Sequence, residues 1–264
     1  MKYDLFDTHA HYTDKRFETE HEGGAEELLR ALFADEVGTI INVATDVDNA
    51  LEVIAQAKKF EGVYAAVGIH PMDCKELPDV DTTLADLEAL LIRRKDLKIV
   101  ALGEIGLDYY WDADYKELQQ IYFERQLELA IKYDLPVLIH DREAHGDSFE
   151  TVLRYPDARG VFHSFSGSPE LATELTRRGW YISFSGVISF KNARKSREVA
   201  AVVPVDKILI ETDCPYLAPH PFRGKLNRSD YLKYTMEALA DARNEDVEAL
   251  SETVFQNSLN FFSI

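Results

Sequence analysis

The chain has 264 residues, 46% of them hydrophobic and 29% charged, and its 29 Lys and Arg face 47 Asp and Glu for a net charge of −18. That balance supports a sizeable core and excludes a disordered chain. So acidic a surface also excludes broad, nonspecific wrapping of nucleic acid, which needs many cations laid over the phosphates, although a single metal-assisted phosphate site stays compatible with it.

Met1-Lys2-Tyr3-Asp4 leads at once into acidic, His-rich sequence. No long apolar run of the kind a signal peptide or membrane span requires is seen there, so a cytoplasmic protein without membrane attachment is expected. Strand-like runs rich in Val, Ile or Phe follow at Leu5–His9, Thr39–Ala44, Val63–Ile69, Ile99–Glu104, Pro136–His140, Gly160–His163, Tyr181–Phe184 and Lys207–Glu211. Between them apolar residues recur at spacings of three and four, as in Leu28, Leu29, Leu32 and Phe33 or Leu84, Leu87, Leu90 and Leu91, the pattern of amphipathic crossover helices. Strands alternating with helices imply a parallel sheet, and eight units without a change of order predict an α/β fold of the (β/α)8 TIM-barrel type over a single domain, 1–264. An open doubly wound sheet is the structural alternative. Val247–Phe262 reads as an extra helix on the outside, and Cys74 and Cys214, far apart and in no ligand spacing, read as reduced packing residues.

The polar residues fall where barrel enzymes keep their chemistry, at the C-terminal ends of strands. In Asp7-Thr8-His9-Ala10-His11 the strand period of two sets His9 and His11 on one face, where two imidazoles can grip one ion. The fourth run ends in Glu104, the fifth in His140, the sixth in His163, and Asp213 lies just past the eighth. Unpaired carboxylates and imidazoles brought so close are costly to desolvate unless a cation sits among them. Four imidazoles and two carboxylates exceed the usual three ligands of one catalytic zinc. Two ions roughly 3.5–4 Å apart, bridged by one carboxylate, fit better, and Glu104 is the candidate bridge. Mixed imidazole and carboxylate ligands accept Zn, Mn, Co or Mg.

At these residues the sequence resembles the TatD-type metal-dependent deoxyribonucleases of the amidohydrolase superfamily. The resemblance spans the chain and rests on Asp7-Thr8-His9-Ala10-His11, Gly68-Ile69-His70-Pro71, Gly103-Glu104-Ile105-Gly106-Leu107-Asp108, His140-Asp141-Arg142, His163-Ser164-Phe165-Ser166-Gly167 and Glu211-Thr212-Asp213-Cys214-Pro215. It implies a (β/α)8 barrel and cleavage of DNA with divalent cations, one held by His9, His11, Glu104 and Asp213 and the other by Glu104, His140 and His163. One segment departs from the family pattern: after Arg223-Gly224-Lys225, where relatives continue with Asn and then Glu-Pro, this chain reads Asn227-Arg228-Ser229-Asp230.

For a phosphodiester, Asp213 is the candidate proton acceptor from water, with Glu104 catalytic through the metals. Loops after the seventh and eighth strands often bind phosphate in such barrels. Here they carry Lys191, Arg194, Lys195 and Arg197, which read equally as a solvated helix face, and Arg223, Lys225 and Arg228, the stronger candidate. His70 and Arg142 lie near the site by resemblance as substrate contacts, while Thr45, Asp46 and Asp108 share the rim without an assigned role. Tyr109-Tyr110-Trp111 could stack on bases or simply pack over the barrel mouth. The expected partner is DNA, single-stranded or at ends; oligomeric state is open, a monomer being compatible. Two rivals remain: an amidohydrolase acting on a cyclic amide, lactone or small ester, and a binding module that keeps a metal site for stability.

Overall fold

The computed structural model describes residues 5–77, 79–111 and 113–264. The opening Met1-Lys2-Tyr3-Asp4, on which the expectation of a leaderless start rests, lies outside them. The strands are β1 (Leu5–Ala10), β2 (Val37–Val43), β3 (Val63–Val67), β4 (Ile99–Asp108), β5 (Val137–Arg142), β6 (Gly160–Phe162), β7 (Tyr181–Phe184) and β8 (Ile208–Ile210). They follow one another in the sheet in chain order with helices between, and the fold is the (β/α)8 barrel that the alternation predicts. Every strand overlaps its expected run, but β4 continues to Asp108 rather than stopping at Glu104. None of the described helices is long and apolar enough to cross a membrane.

By its contacts the chain forms two compact units, Met1–Asn42 with His163–Ile264, and Val43–Phe162. In the first, β1 is buried along its whole length, including the polar Asp7, Thr8 and His9. That is the pattern of a parallel strand covered on both faces rather than an alternating one. It pairs with β2 through Leu5 and Val37 and Asp7 and Ile40, while Ala10 forms a bridge to Cys214, just past β8. The helix Val247–Phe262 has the bounds expected from sequence and starts at Asp246, whose carboxylate accepts the Glu248 and Ala249 amides. It sets Phe262 in a stack on Phe6 of β1, ring centroids 5.7 Å apart, and Phe255 edge-on at 6.1 Å. Asn257 of the same helix donates to the carbonyls of Val205 and Ile208 and ties it to the start of β8.

In the second unit β3, β4, β5 and β6 are parallel neighbours. Two glycines let β4 lie against β5: a Cβ on Gly103 would stand 2.6 Å from the Leu138 Cβ, and one on Gly106, at φ 141°, would stand 2.0 Å from the His140 carbonyl oxygen. Only glycine fits the second position, on both counts. The helix Lys116–Tyr133 buries two glutamines against the strand ends. Gln119 accepts the Asp108 amide at 2.9 Å and donates to its carbonyl at 3.0 Å; Gln126 does the same for Ile69 at 2.7 and 3.1 Å. Side-chain amides thus satisfy buried backbone groups beside the last ladder bonds.

Candidate metal centre

Within the first unit the ends of β1 and β8 are laced by backbone: the Asp213 amide donates to the His9 carbonyl at 2.9 Å and the His11 amide to the Cys214 carbonyl at 2.8 Å. This sets three side chains on a common point. His9 Nε2 and His11 Nε2 are 3.1 Å apart, and Asp213 Oδ1 lies 3.9 and 3.4 Å from them. The ring of His163, beyond β6, stacks on that of His9 with centroids 4.2 Å apart, and its Nδ1 faces the Glu211 carboxylate at 3.2 Å. A carboxylate on one ring nitrogen fixes the tautomer and leaves the lone pair on the other, Nε2, for a ligand. Burial works against the Asp213 carboxylate, but the bond from His11 and the charge of His163, His9 and His11 outweigh it and hold its pKa below the ordinary range.

Behind these ligands lies a carboxylate that sequence reasoning passed over. Asp7 is buried and accepts the Thr212 amide at 2.9 Å, the Thr212 hydroxyl at 2.6 Å and the Ser229 hydroxyl at 2.7 Å. Burial raises its pKa to about 6 even with those bonds. Ser229, one of these donors, stands in the segment Asn227-Arg228-Ser229-Asp230. Its neighbour Arg228 is taken up by Asp230 at 2.5 and 2.8 Å.

In the second unit Glu104 and His140 meet, Glu104 Oε1 lying 2.6 Å from His140 Nδ1. The other nitrogen, Nε2, faces Asp108 Oδ2 at 3.1 Å, so with the ring proton on the Asp108 side Nδ1 would offer its lone pair to a cation shared with Glu104. Burial opposes the Asp108 carboxylate, but His140 and the amides of Trp111 and Tyr110 more than compensate and lower its pKa. His70 Nε2 is 3.6 Å from Glu104 and 3.4 Å from His140 Nδ1. Its Nδ1 accepts the Met72 amide, so the neutral ring carries its proton on Nε2 and acts there as a donor.

Of the six expected ligands, His9, His11, His163 and Asp213 thus gather in the first unit, and Glu104 and His140 in the second. In each of the groups His9, His11, Asp213 and His70, Glu104, His140 the ligand atoms lie within 4.8 Å of one another. Clustered imidazole nitrogens and carboxylate oxygens, tautomers set from behind, are a donor set that suits a divalent cation. The basic residues are less uniform. Arg194 pairs with Glu198 and Arg197 with Asp241, in keeping with a solvated helix face. Arg223 lies over the Phe190 ring at 4.4 Å, and Arg142 over that of Tyr110 at 4.2 Å. Asp108, Glu211 and Asp7 were not assigned from sequence; the one signal for them is that each is a carboxylate inside a motif that also carries an expected ligand.

Residues 6–263 match the family model described as TatD related DNase. A Bacillus subtilis protein named as the uncharacterized metal-dependent hydrolase YabD is 38% identical over 263 residues, covering 98% of this chain and 99% of its own length. The Escherichia coli metal-dependent hydrolase YjjV is 35% identical over 261 residues, 98% of each chain. The crystal structure of YjjV, a TatD homolog, superposes with a TM-score of 0.91 over all of both chains at 33% identity. A TatD family hydrolase from Entamoeba histolytica shares the fold with a TM-score of 0.84 over 99% of each chain, at 23% identity. Relatives named for metal-dependent hydrolysis thus align from end to end with a chain whose own strand ends gather metal-ligand side chains, and on those grounds it belongs to the TatD-related DNase family and is a metal-dependent hydrolase.

Proposed function

We propose that the protein is a deoxyribonuclease that hydrolyses phosphodiester bonds in single-stranded DNA or at DNA ends, with residues 1–264 acting as one cytoplasmic hydrolase domain. The observation that carries this reading is that each unit closes its strand ends on a carboxylate–imidazole cluster in which one histidine faces a further carboxylate, His163 facing Glu211 and His140 facing Asp108. In the proposal His9, His11, Glu104 and Asp213 hold one divalent cation and Glu104, His140 and His163 a second, with Zn, Mn, Co and Mg all compatible. Bound there, the cations would activate water and, with four positive charges against the two carboxylates, favour an anion that gains charge in its transition state.

The chain's own groups complete the chemistry. Asp213 accepts the proton of the water that attacks phosphorus and relays it to the departing sugar oxygen as the P–O bond breaks. His70 donates from Nε2 to a phosphate oxygen, and the guanidiniums of Arg142 and Arg223 hold the remaining charge. Glu104 on β4, the strand on which many amidohydrolases carry a carbamylated Lys between their metals, favours this reading over hydrolysis of a lactone or cyclic amide. The test is turnover of single-stranded DNA, bis(4-nitrophenyl) phosphate and a lactone panel with Mg²⁺, Mn²⁺ or Zn²⁺, before and after chelation, joined to elemental analysis of the purified protein. We expect about two cations per chain and DNA cleavage that chelation abolishes. Lactone hydrolysis without DNA cleavage would transfer the protein to the amidohydrolase reading, and a metal-loaded protein inactive on the whole panel would make it a binding module.

A further inference from the structure

We propose that Tyr110, Trp111 and Arg142 form a stacking subsite for the unpaired bases of a single-stranded nucleic acid, a refinement that rests on the nuclease reading above. Three consecutive aromatic residues follow β4, and they are not equivalent. Tyr109 is engaged, its hydroxyl donating to Asp147 at 2.7 Å and its ring lying 4.0 Å from the Lys116 ammonium. Tyr110 and Trp111 instead stand out from the surface, 56% and 60% exposed, and meet edge to face at 4.8 Å. The Arg142 guanidinium lies 4.2 Å from the Tyr110 ring centroid and 5.4 Å from that of Trp111. Large aromatic faces beside a cation match the two surfaces of a nucleotide, a flat base and an anionic phosphate.

The platform is also fixed in place. Asp108 Oδ1 accepts the amides of both Tyr110 and Trp111 at 2.9 Å, while its Oδ2 faces His140 Nε2 at 3.1 Å. One carboxylate therefore anchors the aromatic turn and orients a candidate ligand, and Arg142 follows His140 on the same strand. Net charge constrains how such an occupant is held. At −18 the chain offers a polyanion little long-range attraction, so its hold on a strand has to come from short-range contacts. Stacking supplies those without regard to sequence, and only unpaired bases present free faces.

Trp111 is its own reporter, because the other tryptophan, Trp180, is 5% exposed. Fluorescence would be titrated in EDTA with a thymidine oligomer and with an abasic oligomer of equal length. We expect saturable quenching by the first and about tenfold weaker binding of the second. Anisotropy of labelled oligomers should show that discrimination lost in Trp111→Ala and retained in Trp111→Phe. Equal binding of the two oligomers, or unchanged discrimination in Trp111→Ala, overturns the subsite. So does a wild-type dimer in sedimentation that dissociates on Trp111→Ala, since a second copy then covers the patch. Base-dependent quenching without DNA cleavage under any metal keeps the subsite and sinks the nuclease reading; cleavage without base dependence does the reverse.

Discussion

Asp213 carries its carboxylate on a left-handed backbone, φ 56°, a conformation that Asp and Asn adopt at little cost and most other residues avoid. Asp213→Asn therefore keeps the turn and removes the charge that serves both the cation and the proton transfer. Turnover of single-stranded DNA should fall about a thousandfold with the melting temperature nearly unchanged; a wild-type rate would remove Asp213 from the chemistry. Asp108 allows a finer substitution. In Asp108→Asn the side-chain oxygen stays on the Tyr110 and Trp111 amides, so the new NH2 faces His140 Nε2 and asks for a lone pair there. The ring proton then moves to Nδ1, the atom turned to Glu104. We expect metal affinity to fall about 10- to 100-fold in competition with a chromophoric chelator, and an unchanged affinity would show that Asp108 does not set this tautomer.

The helix Lys116–Tyr133 does for strand ends what a ladder would do in their interior. Gln119 and Gln126 each pair with both backbone groups of one residue, and an apolar replacement strands a buried N–H and a buried C=O. Gln126→Leu should lose about 2–4 kcal/mol in urea unfolding, and a loss below 0.5 kcal/mol would mean that water takes over both bonds. These pairings also mark where sequence stops being legible. The strands could be read because Val- and Ile-rich runs end abruptly in His9, Glu104, His140 and His163, a local signal. The continuation of β4 to Asp108 could not, because it depends on Gly106 passing under the His140 carbonyl and on Gln119 meeting Asp108 across a turn. Gln126 reaches Ile69 from 57 residues away, and nothing in either neighbourhood announces it. Among site residues the ligand types were legible at strand ends. The carboxylates that orient them, Asp108 and Glu211, were not, since a lone acid in a motif carries no sign of which ring it will face.

Taken as one acidic body, the protein should respond to solution conditions in two ways. Imidazoles must be neutral to ligate, so protons compete with cations and hydrolysis should fall steeply below about pH 6; a flat rate down to pH 5 would contradict histidine ligation. Salt should matter little. With phosphate held mainly by Arg142 and Arg223, two contacts on a single strand predict about a sevenfold loss of affinity between 50 and 200 mM salt. A loss of a thousandfold would reveal a larger cationic footprint than the chain displays. The stack of Phe6 on Phe262 has a consequence for biosynthesis. β1 leads the described elements out of the ribosome, and the helix that shelters its outer face is the last of them to emerge. Until then Phe6 lacks the Phe255 and Phe262 rings that pack on it, so stable burial of the strand bearing His9 waits for that helix to be translated. Nascent chains halted before Val247 should consequently be cut by protease within β1, where the full-length protein resists.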